Sequence, residues 1–131
     1  MIGLDTNVVV RFLVRDDAGQ FNRARACIEQ AMRGGDDLFL NRIVICELVW
    51  VLESAYAYRR TEIADALETI LLTKEFVVED RGSVWSALAR YRASKGDLSE
   101  YLLAETSAAY DCALTVTFDR SLRGEDDFEV L

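Results

Sequence analysis

Residues 1–17 read MIGLDTNVVVRFLVRDD, and the fold turns on how this stretch is parsed. Ile2-Gly3-Leu4 is an apolar run too short for a helix, and it reads as a buried first strand. Asp5 follows at once, then Thr6 and Asn7. After them Val8-Val9-Val10-Arg11-Phe12-Leu13-Val14 is apolar enough, and long enough, to begin a helix. Thr6 and Asn7 supply cap-type side chains for its first N–H groups. Asp5 thus stands where a strand ends and a helix begins, the edge at which open α/β sheets bind ligands. The plainer alternative is that Asp5 only caps the helix.

The same alternation runs outward along the chain. Asp16-Asp17-Ala18-Gly19 is a polar break. Phe21, Ala24, Cys27-Ile28 and Ala31-Met32 recur at helical spacing and predict a helix over 21–33, closed by the Gly34-Gly35-Asp36-Asp37 turn. Leu38-Phe39-Leu40 reads as a second buried strand, and Asn41 caps a helix over 42–58. Arg59-Arg60 breaks the pattern before a helix over 61–73. Phe76-Val77-Val78 is a third strand, 80–94 and 98–110 are helical, and 114–117 is a fourth strand rich in β-branched residues. Phe128-Glu129-Val130 is a candidate fifth, edge strand. Short apolar strands alternating with helices predict one α/β domain over 1–131, its parallel sheet covered by helices on both faces.

A chain of 131 residues, half of them hydrophobic, can bury roughly two-thirds of its unfolded surface in one core. No apolar run approaches the ~20 residues of a membrane span, and no signal-peptide pattern precedes Asp5, so a soluble, cytoplasmic protein is expected. Cys27, Cys46 and Cys112 are odd in number and never paired as C-x-x-C, which predicts free thiols rather than structural zinc. The chain has no histidine. That removes Ser-His-Asp and Cys-His nucleophile systems and most zinc or haem sites. The net charge of −8 opposes non-specific binding to nucleic acid. An RNA substrate would need bound cations and a local arginine patch; thirteen of the fifteen basic residues are arginine, suited to bidentate phosphate contacts.

The chemistry must then lie in the carboxylates. Asp5 ends the first strand and Asp119 the fourth. Glu47 falls within the apolar stripe Ile43, Val44, Leu48, Val51 and Ala55 of its helix, where an ionised carboxylate needs a partner, a proton or a metal. Its structural alternative is an ion pair with Arg11 or Arg42. Asp97 and Glu100 begin the helix that feeds the fourth strand, three residues apart on one face, and Asp97 also suits an N-cap. Asp16, Asp17, Asp36, Asp37, Asp126 and Asp127 read as solvated turn residues. Two carboxylates ~5 Å apart at an effective dielectric of ~20 repel by about 3 kcal/mol, so a converging set calls for a hard divalent cation. All-oxygen ligation suits Mg²⁺ or Mn²⁺, and such a site can activate a water and stabilise an in-line phosphoryl transition state without a histidine.

Taken together, MIGLDTNVVVRFL (1–13), ICEL (45–48), GDLSEYLLA (96–104) and TVTFDR (115–120) resemble the PIN-domain family. Within it, the short single-domain form resembles the VapC ribonuclease toxins of prokaryotic toxin–antitoxin pairs. The resemblance covers essentially the whole chain. It implies a sheet ordered 3-2-1-4-5, with Asp5 beside Asp119, and Mg²⁺- or Mn²⁺-dependent RNA hydrolysis. Asp5, Glu47 and Asp119 match the family's first, second and fourth acidic positions. At the third, the family usually reads D-F-A-D-A-L-I-A; Glu100 stands at the metal-facing place, one methylene longer, and Asp97 keeps the earlier acid. Either Glu100 reaches the metal, or Asp97 takes part of the role. Thr6, Asn7 and Thr117 match polar residues that orient the acids or waters. Arg120 and Arg123, just beyond Asp119, are candidate RNA-phosphate contacts.

Two other functions compete with the endoribonuclease toxin. One is a degenerate PIN scaffold that binds RNA or protein without cleaving. The other is a receiver- or phosphatase-like aspartate domain, which would want an acid where Asn7 stands, or an acidic pair and a late lysine where only Lys95 is available. Trp50, Leu52, Tyr56 and Tyr58 leave the 42–58 helix apolar on more than one side. That suits a partner helix or a homodimer, and the resemblance implies a VapB-like antitoxin, whose basic residue would pair with the acids.

Overall fold

Strands form at all five expected places in the computed structural model, which describes residues 1–131. β1 (Ile2–Gly3), β2 (Leu38–Leu40) and β3 (Phe76–Val78) pair in parallel in the order β1-β2-β3. β4 (Thr115–Thr117) and β5 (Phe128–Val130) pair in parallel as a second ladder. The adjacencies 3-2, 2-1 and 4-5 of the expected order are thus formed, in two sheets. The chain divides into two compact units, Met1–Arg81 and Gly82–Leu131. No helix is long and apolar enough to cross a membrane.

In the first unit, α1 (Thr6–Val14) starts earlier than its apolar run. Asp5, extended at φ −79°, accepts the Thr6 N–H on its carboxylate at 2.9 Å. Asp5 is therefore the cap, as the alternative reading had it, and Thr6 and Asn7 are not. Thr6 is the first helical residue, and its hydroxyl is committed elsewhere. The same correction holds for α2 (Ala18–Arg33), which begins three residues before Phe21. Asp17 in the polar break accepts the Gln20 N–H, so the break contains a cap. α3 (Arg42–Ser54) has the expected Asn41 cap but stops at Ser54. Ala57 takes a left-handed φ of 51°, and the Tyr58 N–H closes back on the Leu52 carbonyl. α4 (Arg60–Leu72) opens with the Glu62 carboxylate accepting the Arg59 N–H.

The core of this unit is Ile28, Leu38, Leu40, Ile45, Leu48, Leu52, Ile63, Leu67, Ile70 and Leu71, all essentially inaccessible. Each such side chain contributes about 1.5–3 kcal/mol on burial, far above the unit's exposed ion pairs. Leu38 and Leu40 are fully buried and Phe39 between them is half-buried, so both faces of the central strand are covered. On α3 the buried stripe is Val44, Ile45, Leu48, Val49 and Leu52. The expected stripe, with Ile43, Val51 and Ala55 around Glu47, is corrected by this. Ile43 and Trp50 are 67% and 68% exposed, and Glu47 lies on their side of the helix, exposed. A helix apolar nearly all round carries no marker of which stripe faces inward.

In the second unit, α5 (Arg81–Ala93) buries Val84, Leu88 and Tyr91, and α6 (Leu98–Ala109) buries Leu98, Tyr101 and Leu102. A single 3₁₀ turn, Arg120–Leu122, joins β4 to β5 and buries Leu122. Arg90 is the polar centre. It contacts Asp127 at 2.5 and 2.9 Å, Glu125 at 3.3 Å and Glu105 at 3.4 Å, and stacks over the Tyr101 ring at 4.7 Å. Asp127 is therefore no solvated turn acid, and its carboxyl is held below the usual range by that guanidinium. Asp16 is likewise engaged, by Arg11 and the Tyr56 hydroxyl.

Candidate active site

The first unit builds its acids around one threonine. Asp5 ends the β1 segment and begins α1. Its side chain caps the helix with one oxygen, and its carbonyl accepts from the Val8 and Val9 N–H groups. The cap and the exposed edge position are the same fact, because a strand-to-helix turn presents its N-cap side chain outward. Thr6, 4% exposed, is the buried polar residue of the chain. Its hydroxyl donates to Glu47 Oε2 at 2.9 Å, tying α1 to α3. The alternative reading of Glu47, an ion pair with Arg11 or Arg42, is not formed. Arg11 is bound to Asp16, and Arg42 to Glu79 and Asp80. Glu79 also accepts the Arg42 N–H, which fixes the start of α3 and so the height of Glu47 above it. Asp5 and Glu47 each keep a second carboxylate oxygen outside these bonds. Asn7, exposed, lines a groove of about 310 Å³ with Arg11, Arg23 and Cys27.

The second unit holds its acids more tightly. Asp97 and Glu100 form the first turn of α6, the Glu100 Oε2 accepting the Asp97 N–H at 3.0 Å. Asp119 accepts the Ser121 N–H at 2.9 Å and the Ser121 hydroxyl at 2.7 Å. Its own N–H is accepted by the Thr117 hydroxyl at 3.0 Å. Glu100 and Asp119 lie close enough to influence each other's ionisation. Burial pushes Glu100 above its usual range, and Asp119 and Asp97 push the same way against the Asp97 N–H. Asp119 is held below its range, first by Ser121 and then by Glu100. Arg120 and Arg123 are exposed and make no ion pair.

Two positions beside these acids were not singled out from the sequence. Ser121 lies two residues after Asp119, a spacing that closes a side-chain turn and could have been noticed. Tyr101 carried no signal beyond being an aromatic residue on a helix.

Asp5, Glu47, Asp97, Glu100 and Asp119 have no arginine or lysine partner, while Arg11, Arg42 and Arg90 each pair with other acids. In neither unit do three carboxylates gather into a ready-made metal cluster. The donors are all hard carboxylate oxygens. That donor chemistry fits Mg²⁺ or Mn²⁺ and does not fit a soft metal.

The model of the PIN domain matches residues 2–124 of this chain, reaching into both units. A VapC ribonuclease of Aquifex aeolicus (strain VF5) is 28% identical over 120 residues, which cover 92% of this chain and 88% of that protein.

Proposed function

The chain belongs to the PIN-domain family, and from that premise we propose that it is a Mg²⁺- or Mn²⁺-dependent endoribonuclease. In this reading it is the toxin of a VapBC-type pair and works as one PIN domain over 1–131. The observation that carries the reading is the set of acids without counter-ions: Asp5 at the β1 edge, Glu47 on the Thr6 hydroxyl, and Glu100 against Asp119. The similarity to a VapC ribonuclease points to the same reaction. With no histidine in the chain, carboxylates are also the chemistry left for phosphodiester hydrolysis.

The residues proposed as ligands are Asp5, Glu47, Asp97, Glu100 and Asp119. A bound divalent cation would supply the Lewis acid for water and for the charge on the phosphate. The chain's own groups orient the acids. Thr6 fixes one oxygen of Glu47, Ser121 one oxygen of Asp119, and the Asp97 N–H one oxygen of Glu100. Carboxylates must be ionised to hold a cation, so binding of one would strengthen as pH rises through their range. Thr117 orients Asp119 through its backbone, and Asn7 stands beside the cap. Arg120 and Arg123, unpaired and exposed, are assigned to RNA phosphates. A VapB-like antitoxin, a homodimer and a cytoplasmic location complete the proposal; exposed Ile43 and Trp50 support an apolar contact on α3.

The test is cleavage of a structured RNA by the purified chain. Mg²⁺ or Mn²⁺ should be required, chelator should abolish the activity, and Asp5→Asn should lose it with the circular dichroism unchanged. Asp126→Asn, in an exposed turn, should cleave like wild type. Cleavage by Asp5→Asn at the wild-type rate overturns the assignment. RNA that is bound but left intact in the presence of metal points to the non-cleaving scaffold instead.

A further inference from the structure

Tyr101 is 1% exposed, yet its hydroxyl reaches the loop before α6 and accepts the Gly96 N–H at 2.9 Å. That contact exists only because residue 96 has no side chain. A Cβ there would stand 2.6 Å from the Tyr101 hydroxyl oxygen, 2.8 Å from the ring carbon that carries it and 3.2 Å from Glu100 Oε2. The ring cannot retreat, since Arg90 lies over it at 4.7 Å and is itself held by Asp127, Glu125 and Glu105. One buried phenol therefore sets the position of Gly96, and through it Asp97, whose N–H holds Glu100. The same phenol shares a cavity of about 110 Å³ with Ser121, the residue that binds Asp119.

We propose that Tyr101 is a positioning residue for the Glu100–Asp119 pair, its hydroxyl seated against the bare Gly96 so that Glu100 meets the cation at a fixed place. This rests on the nuclease reading above and deepens it. Glu100 is one methylene longer than the aspartate usual at its place, so it has one more torsion to restrain. The Tyr101–Gly96 contact, with the Asp97 N–H, supplies that restraint. Tyr101 itself touches neither substrate nor cation; it acts through the first turn of α6.

The experiment compares wild type, Tyr101→Phe, Gly96→Ala and the double variant, using Mn²⁺ alone as the binding probe and a single RNA as substrate. Tyr101→Phe keeps the ring and the Arg90 stack and should fold. We expect its Mn²⁺ dissociation constant, by calorimetry, to rise about tenfold, the range typical of partners behind a metal ligand. The kcat should fall by a similar factor while KM for RNA stays within about twofold. Amide exchange at Gly96 and Asp97 should quicken. Gly96→Ala should act in the same direction, and its effect should be smaller in the Tyr101→Phe background, where its closest contact is gone. If Gly96→Ala fails to fold, Tyr101→Phe alone decides. A Tyr101→Phe protein that is merely less heat-stable, with Mn²⁺ affinity and kcat within twofold of wild type, overturns the positioning role and leaves the nuclease reading intact. A wild-type chain that neither binds Mn²⁺ nor cleaves RNA overturns the nuclease reading, and the positioning role with it.

Discussion

The two units carry the same kind of side chain and hold it in different ways. In Met1–Arg81, Asp5 is placed by the backbone, as the cap of α1, and Glu47 by a single buried threonine hydroxyl. In Gly82–Leu131, Glu100 and Asp119 are placed by a capping box, a serine turn and, behind them, the Arg90–Tyr101 assembly. The first unit has its long apolar core to hold its elements in register. The second, with 50 residues, draws on a partly buried arginine and three acids instead. A small unit with less apolar burial leans on polar contacts, and those contacts respond to mutation and pH more directly.

Arg90 offers the largest way to break that contrast. Arg90→Met leaves Asp127, Glu125 and Glu105 without their cation. We expect a loss of roughly 2 kcal/mol by urea denaturation, below the figure for a fully buried pair because Asp127 remains 36% exposed. Arg11→Met in the first unit, removing an exposed pair with Asp16, should change stability little. Equal losses would show that the Arg90 assembly is no more than a surface ion pair.

A smaller effect is expected at the hydroxyls. Thr6→Val keeps the shape and removes the bond to Glu47, for about 1 kcal/mol of stability. Ser121→Ala removes a bond at an exposed site and should cost less stability, since water replaces the hydroxyl there. Both should lower RNA cleavage, by about tenfold if each acid depends on its partner for orientation. Stability loss without any activity change at Thr6→Val would make that hydroxyl a structural tie only.

The smallest effect is in pH, and its sign differs among the acids of the second unit. Asp127 is depressed by Arg90, so its contribution is present above the unfolded value near 3.9 and is lost as pH falls through the folded one. Glu100 is raised by burial, so the folded state binds more proton there than the unfolded one. Its effect has the opposite sign: stability declines as pH rises from about 4.3 through the folded value. Asp127→Asn should therefore flatten the acid limb of a stability–pH curve, and Glu100→Gln the decline above it. A curve unaltered by Glu100→Gln would mean that its carboxyl is not desolvated in solution.

Element types were legible because short apolar strands and helical spacings are local signals, and all five strands and six α-helices stand where the pattern puts them. The start of α2 was missed because Asp17 read as part of a polar break. At Asp5, by contrast, the cap was one of the two readings the sequence left open; in both the carboxylate accepts an N–H. The five proposed acids could be singled out by their places in the motifs. Glu47 was argued from burial, however, and it is exposed. A helix as apolar as α3 has several candidate stripes, and only packing selects one.

By itself, the sequence determined the composition of the chemistry: oxygen ligands without histidine, acids at strand ends and helix starts, and an ordered motif set that points to the family. Those are properties of residue identity and local spacing. Tertiary structure decided which groups hold the acids. That Thr6 meets Glu47 across 41 positions, and that Arg90 reaches Asp127 across 37, is a matter of which surfaces pack. The same holds for Tyr101, whose hydroxyl finds Gly96 because an arginine stack and a missing side chain leave it that one place. Local propensity carries no information about such contacts; they exist only once the core has set the distances.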